Sequence, residues 1–275
     1  MITALSILTP ENSRGIRRLF NSLRKDKVCV ELKRARGVCI KHITYTSYKG
    51  NVNIDKIDRF IGAQRNHLLC DETINFPKES GYKRFYSSAF AARLCTNMAL
   101  YVISKCKNPE NLKIGIYDTD GNLDGFLKCV LKFCADVTVI TDRPENYYDE
   151  LNSTMEELGA TAVITNQRDG ICNCDFVIAP YIICEKLPIR ETALVLTGGN
   201  PKVDIKCFVY SKYYFKMPNG FDKIKPQELD EEYFCSALYT LGSQYELGSI
   251  IPKICRKNST SQTIKSLCSY LDNLM

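Results

Sequence analysis

Two rhythms of apolar and polar residues divide the chain. In the first part, KVCVELKRA and GVCIKHITYTSY alternate apolar and polar positions, the signature of half-buried strands. ITALSIL ahead of them is strand-like, and Asn12 or Ser13 is placed to cap a helix running to about Lys25. NIDKIDRFIGAQRNHLLC reads as an amphipathic helix, with Ile54, Ile57, Phe60, Ile61 and Leu68 at helical spacing. On it, Gln64 and His67 share the face of Ile57 and Phe60, which turns His67 toward packed structure or a cleft. A charged loop follows, and Ser87 or Ser88 then caps a long helix through Lys105 whose stripe is Phe90, Leu94, Met98 and Val102.

The rhythm changes after KCKNPEN, which marks a boundary between a domain at 1–108 and another at 109–275. LKIGIYD, DVTVIT, TAVIT, DFVIAP, TALVLTGG and KCFVYSKYYF are short, nearly continuous apolar runs. Helical stretches separate the first of them: NLDGFLKCVLKFC, and ENYYDELNSTMEELG with Gly159 as its C-terminal cap. Such alternation predicts an α/β fold with a parallel sheet and helices on both faces, preceded by a smaller α+β domain. DEEYFCSALYTLG, capped by Asp230, and TSQTIKSLCSYLDNLM read as closing helices.

The stretch KIGIYDTDGNLDGFL, read as strand, turn and helix start, resembles a Rossmann-type dinucleotide-binding domain over about residues 111–215. VTVIT closing with Asp142 and the later strand CDFVIAP carry the same resemblance. It implies a cofactor site of Asp118, Thr119, Asp120, Gly121 and Asn122 at the turn, with Asp142 placed for a ribose hydroxyl. Pro180, Gly198, Gly199 and Asn200 complete that expected crevice. The implied cofactor is NAD(P), yet Asp118 and Asp120 stand where glycines admit a pyrophosphate, so the loop has diverged. The order of domains is similar to that of shikimate dehydrogenases. YDTDGNL is also similar to the DxDGT motif of haloacid-dehalogenase-type phosphatases. That likeness implies magnesium chemistry at Asp118 and Asp120, with Thr141 as the phosphate-binding hydroxyl. A third reading has a side-chain carboxylate filling the space of the phosphate, with Asp120 or Asn122 capping the following helix.

Charge changes the picture of the first part. Residues 1–110 carry twenty Lys and Arg against nine Asp and Glu, and the remainder seventeen against twenty-two, within a formal net charge of +6. Arg65, His67, Lys83 and Arg84 are the candidate substrate-binding group, suited to a small anionic ligand in a cleft between the domains. Arg14, Arg17 and Arg18, with Lys33, Arg34 and Arg36, form a basic stripe without a recognisable nucleic-acid-binding signature. The fourteen cysteines are scattered through apolar runs, which predicts reduced core thiols in a cytoplasmic protein. The close pair Cys172 and Cys174 lacks a second pair at zinc-ligand spacing, so no metal is expected. Nor does any apolar run reach the roughly 20 residues of a membrane span. The residues point to a Rossmann-like protein with a diverged loop, a ligand-binding or regulatory relative of dehydrogenases. An active NAD(P)-dependent oxidoreductase and a magnesium-dependent phosphatase are the alternatives.

Overall fold

The computed structural model describes residues 1–9, 24–48, 53–257 and 259–274, without the side chain of Ile54. The helix expected from Asn12 or Ser13, the stripe of Arg14, Arg17 and Arg18, and the Ile54 side chain lie outside the described residues. Two compact units are present: Met1–Ser87 with Met217–Tyr245, and Ser88–Lys216 with Glu246–Met275. Their division thus falls near residue 88, where the sequence pattern placed it at 108/109.

The first unit is built on a four-stranded sheet of β1 (Ile2–Leu8), β2 (Lys27–Ala35), β3 (Val38–Thr46) and β4 (Leu69–Cys70), in the order β2-β3-β1-β4. β1 runs parallel to β3 and β4, whereas β2 pairs antiparallel with β3. The edge strand β2 is mostly exposed and carries Lys27, Glu31, Lys33 and Arg34, the kind of charge that blunts a sheet edge. Helix α1 (Ile54–Ile61) is capped by Asn53, whose side chain accepts the Lys56 N–H. It ends at Gly62, whose φ is 62°. The helical spacing suggested a longer element, but a 3-10 turn over 62–67 replaces its second half and leaves His67 exposed. Leu5, Ile43, Tyr45, Ile57, Ile61, Leu68 and Tyr82 form the core.

His42 is buried on β3, with Nε2 2.5 Å from Ser6 Oγ and 3.9 Å from Glu228 Oε1. Its Nδ1 has no hydrogen-bond partner among the described residues. Burial first, then Lys33, hold its pKa below the usual 6.5 against the pull of Glu228 and Glu31. The folded state therefore favours the neutral ring. Stability from this residue is complete above pH 6.5 and falls as pH drops toward the depressed folded value. Urea midpoints at pH 7 and pH 5 should show an acid loss in the wild type that His42→Gln reduces. An equal loss in both proteins would assign the effect elsewhere.

The second unit holds a six-stranded sheet, parallel throughout. Its strands are β5 (Lys113–Tyr117), β6 (Asp136–Ile140), β7 (Val163–Thr165), β8 (Phe176–Ala179), β9 (Leu194–Thr197) and β10 (Phe208–Tyr210). Their spatial order, β7-β6-β5-β8-β9-β10, is that of the doubly wound Rossmann sheet, 3-2-1-4-5-6 in sequence terms. Helices α2 (Ala89–Ile103), α3 (Phe126–Leu131) and α4 (Tyr148–Leu158) flank it, with α2 packing on β8, β9 and α3. Ser88 stands at the start of α2, but its side chain makes no capping bond. The residues alternate across the sheet: Tyr117, Ile140, Val177, Ala179, Val195 and Val209 share one cluster with Ile171, Ile183 and Ile205 from the connections. Gly115 belongs to that face because a Cβ there would lie 2.7 Å from Ile171 Cγ1. The expected sixth strand divides at Ser211. β10 closes the parallel sheet, and β11 (Lys212–Tyr214) joins a separate antiparallel sheet with β12 (Ile254–Lys257) and β13 (Thr260–Thr263). Helix α5 (Glu231–Thr240) belongs to the first unit and is capped by Asp230. Helix α6 (Ile264–Asp272) carries a capping box between Thr263 and Ser266 and packs on α2.

Candidate functional site

In an open α/β sheet the ligand crevice lies beyond the strand carboxyl ends, where the strand order reverses. Here that point falls between β5 and β8, at Asp118 and Pro180. The turn between β5 and α3 is long, and α3 itself has only six residues. Its first turn follows Gly125, which is left-handed and has no side chain to cap it, and Glu150 accepts the Lys128 N–H of that turn at 2.7 Å. Neither Asp120 nor Asn122 is the cap that the sequence suggested.

Asp118 organises the turn. The residue is 1% exposed, and its Oδ2 accepts the Asn122 N–H at 2.7 Å, the Leu123 N–H at 3.1 Å and the Tyr147 hydroxyl at 2.7 Å. Its Oδ1 is buried and has no hydrogen-bond partner among the described residues. Burial raises the carboxyl pKa above its ordinary value, and the three hydrogen bonds and nearby Asp120 modify that shift. Tyr147, buried and facing this carboxylate, is pushed strongly upward and stays a donor. Asp120 is exposed. The motif pattern treats the two acids alike, but Asp118 takes the backbone donors and Asp120 faces water.

The rest of the turn is closed with equal care. Thr119 O accepts the Asp142 N–H at 3.1 Å, and Gly121 O accepts the Asn146 amide at 3.1 Å. A Cβ on Gly121, whose φ is 64°, would lie 2.9 Å from Asn146 Nδ2. Asp142 does lie just beyond β6, but its carboxylate is held by both terminal nitrogens of Arg168 at 2.7 and 3.0 Å. That fork depresses the Asp142 pKa. Arg168 Nε reaches Glu185 at 2.8 Å, and Glu185 in turn accepts the Tyr117 hydroxyl at 2.6 Å. Tyr147, Asn146, Arg168 and Glu185 were not singled out from sequence. Nothing in ENYYDEL separates buried Tyr147 from exposed Tyr148; the junction of a 3-10 turn with α4 does.

Across the crevice, Pro180, Gly198 and Gly199 pack against each other's loops. A Cβ on Gly198 would land on the Pro180 carbonyl oxygen, and one on Gly199 would lie 2.7 Å from Ile182 Cγ1. Asn200 accepts the Ser211 hydroxyl. Thr141, offered by the phosphatase likeness, is fully buried; its Oγ1 accepts the Arg143 N–H at 3.1 Å. A phosphatase needs an aspartate open to the phosphorus it attacks, and Asp118, 1% exposed with Oδ2 bonded to the turn, is closed off from solvent. Among the described residues no group of three His, Cys, Asp or Glu is placed to hold a metal ion. No helix among them is long and apolar enough to cross a membrane.

The candidate substrate group lies in the first unit. Arg65 pairs with Asp58 at 2.6 Å and sits 5.8 Å from the Tyr82 ring centroid. Arg84 donates from Nε to Cys70 O at 2.9 Å and stacks 3.9 Å from the Tyr233 ring centroid. His67 and Lys83 are exposed. The two arginines thus have structural partners already, while His67 and Lys83 face solvent.

No family model matches the chain, and no curated protein matches it. Among solved structures it is similar to Δ1-pyrroline-2-carboxylate reductase of Thermococcus litoralis, in complex with NADH and L-proline. That match has 16% identity and a TM-score of 0.33, covering 72% of this chain and 68% of that one. A second similarity is to L-tryptophan dehydrogenase of Nostoc punctiforme, with 12% identity and a TM-score of 0.31, covering 99% of this chain and 80% of that one. Likeness at this level does not carry function from one chain to another.

Proposed function

We propose that this chain is a Rossmann-type protein whose dinucleotide turn is closed by its own side chains. It serves as a ligand-binding or regulatory relative of dehydrogenases, without hydride transfer from a nicotinamide. The observation that carries this reading is Asp118 Oδ2, which accepts the two amides of the turn. In dinucleotide-binding turns such amides face a pyrophosphate, and glycine lets the backbone come close. A buried carboxylate in that place repels a diphosphate and removes its donors. At the second strand, Asp142 is held in a fork by Arg168, so a ribose hydroxyl there would share its carboxylate with that pair. The residues present therefore do not fit NAD(P).

The alternative, an active NAD(P)-dependent oxidoreductase, draws its support from the strand order and the crevice at the switch point. Titration decides between them. A ligand at a hundred times its Kd stabilises the folded state by about 2.7 kcal/mol, a shift of several degrees for a chain of this size. NAD and NADP at millimolar concentration should leave the melting temperature unchanged within a degree or so. A saturable rise of several degrees with either one would overturn the closed-turn reading.

A further inference from the structure

We propose that a second ligand site lies at the outer edge of the parallel sheet, shaped for a small aromatic carboxylate. It shares no residue with the turn at Asp118, and it does not depend on how that turn is read.

The site follows from the chain's departure at Ser211. β10 pairs with β9 on one side only, and the next strand, β11, turns away to pair with β12. The corner left between β10, the β12–β13 hairpin and the start of α6 holds a cavity of about 450 Å³. That volume lies within the range of small-molecule sites, roughly 300–1,000 Å³. Its lining joins aromatic walls with hydrogen-bonding groups. Phe208 is 49% exposed although it is large and apolar, so a ligand covering it gains from the removal of that surface from water. Tyr270 meets Phe208 edge to face, with centroids 5.1 Å apart.

The walls are fixed before any ligand arrives. The Tyr270 hydroxyl donates to Thr192 O at 2.7 Å. The capping box holds the first turn of α6, where Ser266 and Leu267 line the cavity. Binding therefore orders few new side chains.

The charge at the site selects the ligand's sign. Lys257 lines the cavity and forms no ion pair among the described residues, while no carboxylate is among the lining residues. One ammonium beside aromatic surface fits a planar aromatic ring carrying one carboxylate.

The chain has no tryptophan, so Phe208→Trp places its single tryptophan on the wall, excited selectively over the tyrosines. Benzoate should then change its emission saturably, with benzyl alcohol, the neutral analogue, binding at least tenfold more weakly. Lys257→Met in that background should weaken benzoate about tenfold and leave benzyl alcohol unchanged. Saturation-transfer NMR on the wild-type protein gives the same comparison should Phe208→Trp fail to fold. No saturable benzoate signal in either format would overturn the site. Benzoate binding that is unaltered by Lys257→Met would overturn the carboxylate assignment.

Discussion

Gly198→Ala should cost the protein about 3 kcal/mol of stability, a fall in melting temperature of roughly 6–12 °C. The added Cβ would land on the carbonyl oxygen of Pro180, and the Pro180 carbonyl carbon would be 2.9 Å away. Both are backbone atoms, so no side-chain rotation relieves the clash. The Gly198 N–H also donates to Ala179 O at 3.0 Å, which pins the two strand ends together. Relief must come from separating the carboxyl ends of β8 and β9 within a fully buried sheet. Gly159→Ala is the control. Gly159 has a φ of 65° and open space around its missing Cβ, so only the left-handed backbone is strained, at about 1 kcal/mol. If thermal denaturation finds the two substitutions equal, the close approach at Gly198 is not what holds this corner.

Asp118→Ala should have a comparable effect, about 3 kcal/mol, for a different reason. It strands the buried Tyr147 hydroxyl and releases the Asn122 and Leu123 N–H groups. Asp118→Asn keeps an oxygen for those donors and should remain within about 1 kcal/mol of the wild type near neutral pH. The two variants also differ from the wild type in their response to pH. The folded-state pKa of Asp118 is raised above the ordinary 3.8, so between these values the folded protein binds more proton than the unfolded chain. Stability linked to Asp118 is complete below pH 3.8 and declines as pH rises through the shifted value. This is opposite in sign to His42. Urea denaturation across that window should show the decline in the wild type and its absence in Asp118→Asn. A wild-type and an Asn curve that run parallel would show that the carboxyl is not desolvated as the fold implies.

What the sequence made legible was the alternation of short apolar runs, because burial on both faces of a parallel strand leaves few polar positions in KIGIY, DVTVI, FVIA and LVLT. The strand-turn-helix at Asp118 could be read from the same pattern. The partners of Asp118 could not, since Tyr147 comes from the approach to α4 and its phase depends on where a 3-10 turn passes into the helix. Arg168 was hidden for a similar reason: its meeting with Asp142 and Glu185 depends on the pairing of β6 with β7 and on the loop after β8. The helix expected through His67 failed locally. Gly62 has a positive φ, and the chain there tightens into a 3-10 turn that no apolar periodicity reveals. TGGN drew notice as a ligand loop, but its glycines are required by Pro180 and Ile182, which lie far away along the chain.

The composition of the first unit bears on how this chain is made. Its sheet comes from residues 1–87, yet Ser6 and His42 find Glu228, Arg36 stacks on Phe221, and Arg84 stacks on Tyr233. A ribosome that has synthesised the first hundred residues has therefore not yet delivered the partners of these side chains. Synthesis usually lets the amino-terminal domain fold first. Here Ser6, His42, Arg36 and Arg84 lack these partners until α5 and its approach are made, more than a hundred residues later. The second unit waits as well, because α6, which packs on α2, is translated long after it.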